Sequence, residues 1–255
     1  MRSFIVALVT AWLLALGGCS SSDSSPSAAA VIDSARAAHG SSVLDEAVVT
    51  FNFRTDTYRL LQNRGEFHYR RSYIDSLGQS VIEGLTNDTL YRVVEGDTVS
   101  LSASEREDVE TTVNSVAYFA LLPAPLGDAA VQPSYTGRDT IGGVPYHRIR
   151  VTFRQEGGGQ DWQDVFFYWF RTDTYGMDYL AYAYGLGPDE ETGTRFREAY
   201  NPRRINGVRM TDYYNYTVDT LSADQMAAYP SLLTQNAVRL VSKIELDSVQ
   251  VRPLQ

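Results

Sequence analysis

The chain has 255 residues, with 22 basic residues against 31 acidic ones and a single cysteine. The acidic balance argues against a nucleic-acid partner, because phosphate binding needs a basic face. One cysteine excludes an internal disulfide framework and a thiolate metal site, so the fold must be held by its own apolar core.

Met1 and Arg2 supply a positive start, residues 4–16 are uncharged and mostly apolar, and Leu16-Gly17-Gly18-Cys19 follows at once. A membrane span needs about 18 or more apolar residues, so this shorter stretch reads as a secretory signal. The small residues before Cys19 suit a protease that cuts beside a lipid-bearing thioether, and the four residues resemble the bacterial lipobox. The expected organisation is a signal peptide over residues 1–18, a lipidated Cys19 with a flexible Ser-rich tether over residues 19–30, and one β-rich domain over residues 31–255. Loss of the signal removes one basic residue, Arg2, and leaves the exported chain more acidic still. Acylation at Cys19 implies a membrane anchor. Ser20, standing where some bacteria place an Asp to retain lipoproteins, resembles an outer-membrane sorting signal and implies the periplasmic face of the envelope.

Residues 28–39 read as a short helix stopped by Gly40, a residue suited to the left-handed turn that ends helices. The pattern then switches to period two. Val49, Phe51 and Phe53 alternate with Thr50, Asn52 and Arg54, and Phe67 and Tyr69 alternate with His68 and Arg70. An apolar run over residues 89–94 follows Asn87-Asp88. Turn signals at residues 63–65, 77–78 and 95–97 make the first half a series of antiparallel hairpins. Ser104 and Glu107 then form an expected capping box, and Val109, Val113, Val116 and Ala120 fall on one face of the helix that follows. Leu122-Pro123 ends it. His147, Ile149, Val151 and Phe153 alternate with polar residues in a half-buried strand, and residues 165–170, 177–184, 194–200 and 208–218 continue the meander. Residues 222–235 predict a capped helical unit broken at Pro230, and residues 238–251 close the fold with a strand or two. About ten consecutive strands with a few helices predict a mainly β, α+β fold: a curved antiparallel half-barrel wrapped on one or more capped helices.

Val165-Phe166-Phe167-Tyr168-Trp169-Phe170 is apolar on both faces, so neither face can look at bulk water. Tyrosines on the neighbouring strands offer large rings with polar tips. Two readings follow, a core built of rings or an aromatic wall lining a pocket. On the pocket reading the lining candidates are Phe167, Trp169, Tyr179 and Tyr182, with Arg195 and Arg197 placed to grip a headgroup or carboxylate, or to form a solvent-facing row paired with acidic neighbours. Asp161, Asp164 and Asp178 match no metal-loop spacing, and turns use Asp for their own backbone, so no metal and no cofactor are expected. The three histidines, His39, His68 and His147, lie in separate segments, and nucleophile-elbow, zinc-protease, Walker and dinucleotide motifs are absent.

The segments Ala38-His39-Gly40, Gly65-Glu66-Phe67-His68-Tyr69-Arg70-Arg71, Asn114-Ser115-Val116-Ala117-Tyr118-Phe119, Leu122-Pro123-Ala124-Pro125-Leu126, Met177-Asp178-Tyr179-Leu180-Ala181-Tyr182 and Gly193-Thr194-Arg195-Phe196-Arg197 resemble the marker segments of a family of Gram-negative envelope lipoproteins of unknown function. The order of hairpins, capped helix, Leu-Pro loop and second meander is also similar to the LolA/LolB lipoprotein-carrier fold, in which helices lid an apolar cavity. The chain departs from the soluble carrier in its expected tether at Cys19. These resemblances imply a non-enzymatic, membrane-anchored binder of a lipid or a lipoprotein acyl chain. The alternatives are a structural or assembly lipoprotein with a filled core, and a hydrolase with an unrecognised site. Cavity volume separates the first two readings.

Overall fold

The structure is a computed structural model that describes residues 25–159, 162–186 and 192–254. The expected signal peptide over residues 1–18, Cys19 and Asp161 lie outside the described residues.

Helix α1 (Ala28–His39) opens the described chain. Ser27 caps it, its hydroxyl accepting the Ala30 N–H at 3.1 Å, and Gly40 ends it in a left-handed conformation with φ 74°. A side chain at Gly40 would collide with the Gly207 carbonyl oxygen, so the glycine serves both the turn and a close backbone approach. The helix thus occupies residues 28–30, which the domain division above gave to the tether. After the short α2 (Ser41–Leu44) come β1 (Glu46–Phe53), β2 (Asp56–Asn63), β3 (Glu66–Ile74), β4 (Ser80–Thr86), β5 (Leu90–Val94) and β6 (Asp97–Val99). Then follow the central helix α3 (Ala103–Leu121), and β7 (Val131–Ile141), β8 (Val144–Phe153), β9 (Val165–Arg171), β10 (Met177–Tyr184), β11 (Gly193–Ile205) and β12 (Val208–Thr217). A 3-10 turn (Ala223–Ala228), α4 (Tyr229–Thr234), β13 (Arg239–Ile244) and β14 (Asp247–Pro253) complete it.

The strands form two antiparallel sheets of seven, ordered β14-β1-β2-β3-β4-β5-β6 and β13-β12-β11-β10-β9-β8-β7. Mainly β architecture is as expected, but among the described residues 14 strands replace the expected ten or so, in two sheets that do not close into one. The strands missed have physical reasons to hide. Glu83 interrupts the apolar alternation of β4, yet it is buried at 2% exposure because Arg71 and Arg92 flank it at 3.2 and 2.8 Å. Pro133 and Gly137 interrupt β7, which tolerates them as the outer strand of its sheet, with a bulge between Tyr135 and Gly137.

Helix α3 packs on the first sheet. Val109, Val113, Ala117 and Leu121 are buried there with Val49, Phe51, Tyr58 and Leu60, while Val116 and Ala120 are half-buried at the border. The capping box is real but sits two residues before the expected one. Ser102 accepts from Glu105 N, and the Glu105 carboxylate accepts the Ser102 N–H at 2.9 Å. Residues 222–235 are helical on both sides of the expected break, with Pro230 in the first turn of α4, where its missing N–H costs nothing.

Candidate functional site

Helix α3 carries two stripes. The valine stripe seats it on the first sheet, and a second stripe, Thr111, Asn114, Ser115 and Tyr118 at helical spacing, turns towards the second sheet. Its first three members are small and polar and do not fill the space before them. The result is a cavity of about 700 Å³ between α3 and strands β8 to β13.

Its walls are rings. Phe119 and Tyr182 lie 5.0 Å apart between centroids, Phe166 and Tyr182 stack at 5.6 Å, and Phe153 meets Phe166 edge-on at 5.7 Å. Tyr118 shares a hydrogen bond with Tyr168 at 2.8 Å, and burial pushes both phenols above their ordinary pKa, so both stay neutral and apolar in character. Burial likewise raises Tyr213 on the cavity wall to about 12, with Arg209 and Arg197 pulling it back down. Phe53 at the end of β1, Arg54 in the β1–β2 turn, and Asp164 and Gly158 from the loop before β9 also line it.

The polar groups of the second sheet lie in one row. Arg197 on β11, Asn215 on β12 and Ser242 on β13 are direct cross-strand neighbours and all face the cavity. Arg197 is only 7% exposed. Its Nη2 donates to the Tyr182 hydroxyl at 3.2 Å, and its guanidinium lies 3.7 Å from the centroid of the Phe119 ring.

The expected lining is divided between two environments. Tyr182 and Arg197 stand on the cavity wall. Phe167, Trp169 and Tyr179 point to the other side of the second sheet, where they pack with Phe196, Met226 and Tyr229. Their role as pocket walls is therefore corrected: the face of β9 expected to be open is covered by the 3-10 turn and α4. It is the opposite face, with Phe166, that meets the cavity. Arg195 shares the Arg197 face but lies beyond the lining. It stacks on Tyr184 with its guanidinium 5.0 Å from the centroid and donates to the Thr194 carbonyl and Thr217 hydroxyl. What the sequence reading missed was the second stripe of α3 and the Asn215–Ser242 pair. The stripe was legible as spacing, but small polar residues on a helix look the same whether they face water or a cavity.

Among the described residues the lining holds no histidine and one carboxylate, Asp164. His39 is buried and held near pKa 3, by burial first and then by Arg209 and Arg204, and its Nε2 accepts the Met177 N–H at 3.0 Å. His147 is buried between Tyr135 and Tyr175. His68 bonds the Tyr91 hydroxyl at 2.7 Å. Among the described residues no group of three or more His, Cys, Asp or Glu side chains is placed to hold a metal ion, and no helix is long and apolar enough to cross a membrane.

Fold and site define a mainly β protein of two antiparallel sheets with an aromatic cavity beside a central helix. Residues 4–246 match the profile of a family of unknown function, DUF6503, and the chain belongs to that family. No curated protein matches it in sequence. Among solved structures it is similar to a LolA superfamily protein from Nitrosomonas europaea, at 10% identity and a TM-score of 0.49, over 91% of this chain and 96% of that one. It is also similar to a DUF1329 family protein from Desulfovibrio piger, at 10% identity and a TM-score of 0.48, over 89% and 93% of the two chains. A weaker likeness is to the lipoprotein LppX of Mycobacterium tuberculosis, at 13% identity and a TM-score of 0.28, over 62% and 89%.

Proposed function

We propose that this protein is an envelope lipoprotein, anchored through Cys19 to the periplasmic face of the outer membrane, whose cavity takes up one hydrophobic or amphipathic ligand such as a lipid or an acyl chain. The observation that carries the binding role is the cavity itself. Its volume of about 700 Å³ falls within the range of about 300 to 1,000 Å³ that small-molecule sites occupy, and its walls are mostly aromatic with a few convergent polar groups. A protein that filled its core with its own rings would have closed this space, as it does on the other face of β9. Among the described residues the lining offers no acid–base pair, which favours a binding module over a hydrolase.

The anchoring role rests on Leu16-Gly17-Gly18-Cys19 and the Ser-rich residues that follow. Native mass spectrometry of the protein purified from its own envelope tests the binding role: a co-purifying lipid is expected, and a ligand-free mass throughout would count against it. Labelling with a palmitate analogue tests the anchor. The Cys19→Ser variant should take up no label, and label retained in it would sink that part of the reading.

A further inference from the structure

Arg197 differs from the arginines that the fold draws inward against a carboxylate. Arg71, Arg92, Arg148, Arg203 and Arg209 each have a carboxylate within 3.2 Å, although their side chains are 16% to 26% exposed. Arg197 is buried more deeply, at 7% exposure, and among the described residues no carboxylate lies within ion-pairing distance of it. Its partners are one phenol and two ring faces, and its Nε is buried without an acceptor. Stacking on Phe119 and Tyr182 fixes the plane of the guanidinium but, among the described residues, leaves its charge without a counter-ion. A buried charge without a counter-ion is costly and is retained only where something offsets it.

The neighbouring side chain shows the same deficit. Asn215, directly across the strand pair from Arg197, donates to the Ser242 hydroxyl at 3.3 Å, while its Oδ1 is buried with no partner. If the amide turns over, its oxygen accepts from the Ser242 hydroxyl and its NH2 is the group left without a partner. Two adjacent buried groups on a cavity wall, each short of a partner, define a polar end in a pocket otherwise walled by rings.

Building on the reading of the cavity as a ligand site, we infer that its ligand is a single-chain amphiphile with a carboxylate headgroup, a long-chain fatty acid or a molecule ending in one, paired with Arg197. The planar fork of a guanidinium matches a carboxylate through two parallel N–H···O bonds, and the rings of Phe119, Phe166 and Tyr182 take the hydrocarbon. A phosphate monoester shares the anionic chemistry but carries more charge than one guanidinium neutralises. The other arginine of the lining, Arg54, is exposed on the β1–β2 turn, where it stacks on Phe53.

The test uses the mature chain stripped of lipid, with palmitic acid, hexadecanol and hexadecyl phosphate each competing against an uncharged, polarity-sensitive probe. Palmitic acid should displace the probe about 10- to 100-fold more tightly than hexadecanol, the difference that charge-assisted hydrogen bonds supply. Arg197→Met should bring the acid down to the affinity of the alcohol and leave the alcohol unchanged. Acid and alcohol competing equally in the unaltered protein would overturn the carboxylate assignment while leaving the apolar site intact. The phosphate competing best would overturn the headgroup assignment in favour of a phosphate ester. Failure of the probe and all three compounds to bind would overturn both this inference and the binding role. If Arg197→Met does not fold, the acid-to-alcohol ratio of the unaltered protein still decides. Tyr182→Phe, which removes the phenol holding the guanidinium, should then lower that ratio.

Discussion

Trp169 is fully buried, and its indole N–H donates to the Asp139 carboxylate at 2.7 Å, which Arg148 also grips at 2.9 Å. This is a core residue with its polar atom satisfied. Trp169→Ala should therefore cost about 3 to 5 kcal/mol in urea melts, while a polarity-sensitive probe binds the folded fraction as before; loss of probe affinity in folded variant would contradict the division of the two faces of β9. His39 makes a second prediction at this scale. Burial, with help from Arg209 and Arg204, holds its folded-state pKa near 3 instead of the usual 6.5, so the unfolded chain takes up the proton first. Its contribution to stability is full above pH 6.5 and is lost as pH falls from there towards 3. His39→Gln should flatten the stability profile across that window relative to the unaltered protein, as read by denaturant midpoints at successive pH values. An unchanged slope would mean that His39 titrates normally.

Helix α3 shows how an element can be read correctly and registered wrongly. Ser-x-x-Glu occurs twice at the start of this helix, as Ser102 with Glu105 and as Ser104 with Glu107, and local chemistry does not choose between them. The fold chooses the first, because Arg92 on β5 meets the Glu105 carboxylate at 3.1 Å and thereby joins the cap to the first sheet. Ser102→Ala should cost about 1 kcal/mol, whereas Ser104→Ala, an exposed position beyond the cap, should stay within about 0.5 kcal/mol. Thermal melts of the two variants decide between the registers, and the reverse order would restore the Ser104 cap. The valine stripe was legible because its period alone puts those residues on one face. Glu83 in β4 and Pro133 in β7 were not, since what admits them, two flanking arginines and an outer-strand position, lies far away in sequence.

For the whole molecule the decisive property is the space left between α3 and the second sheet. Ser115 is half-buried on the cavity wall, and a large ring placed there would enter existing volume. Ser115→Trp should lower probe affinity at least about tenfold while keeping stability within about 1 kcal/mol, because the added atoms displace no others. Full probe affinity in a well-folded Ser115→Trp protein would place binding elsewhere.

The sequence by itself determined the mainly β class, the family, the two buried faces of β9 and the helix that divides the sheets. Each of these depends on period, composition or local residue order, which the chain carries whatever it packs against. Tertiary structure alone decided which face of β9 meets the cavity. Val165, Phe167 and Trp169 are as apolar as Phe166, Tyr168 and Phe170, and the choice was made by where the chain at residues 223–234 folds back to cover one of them. It also decided that Arg197 has no counter-ion among the described residues while Arg148, Arg203 and Arg209 have theirs, because charge compensation depends on side chains brought together from separate strands.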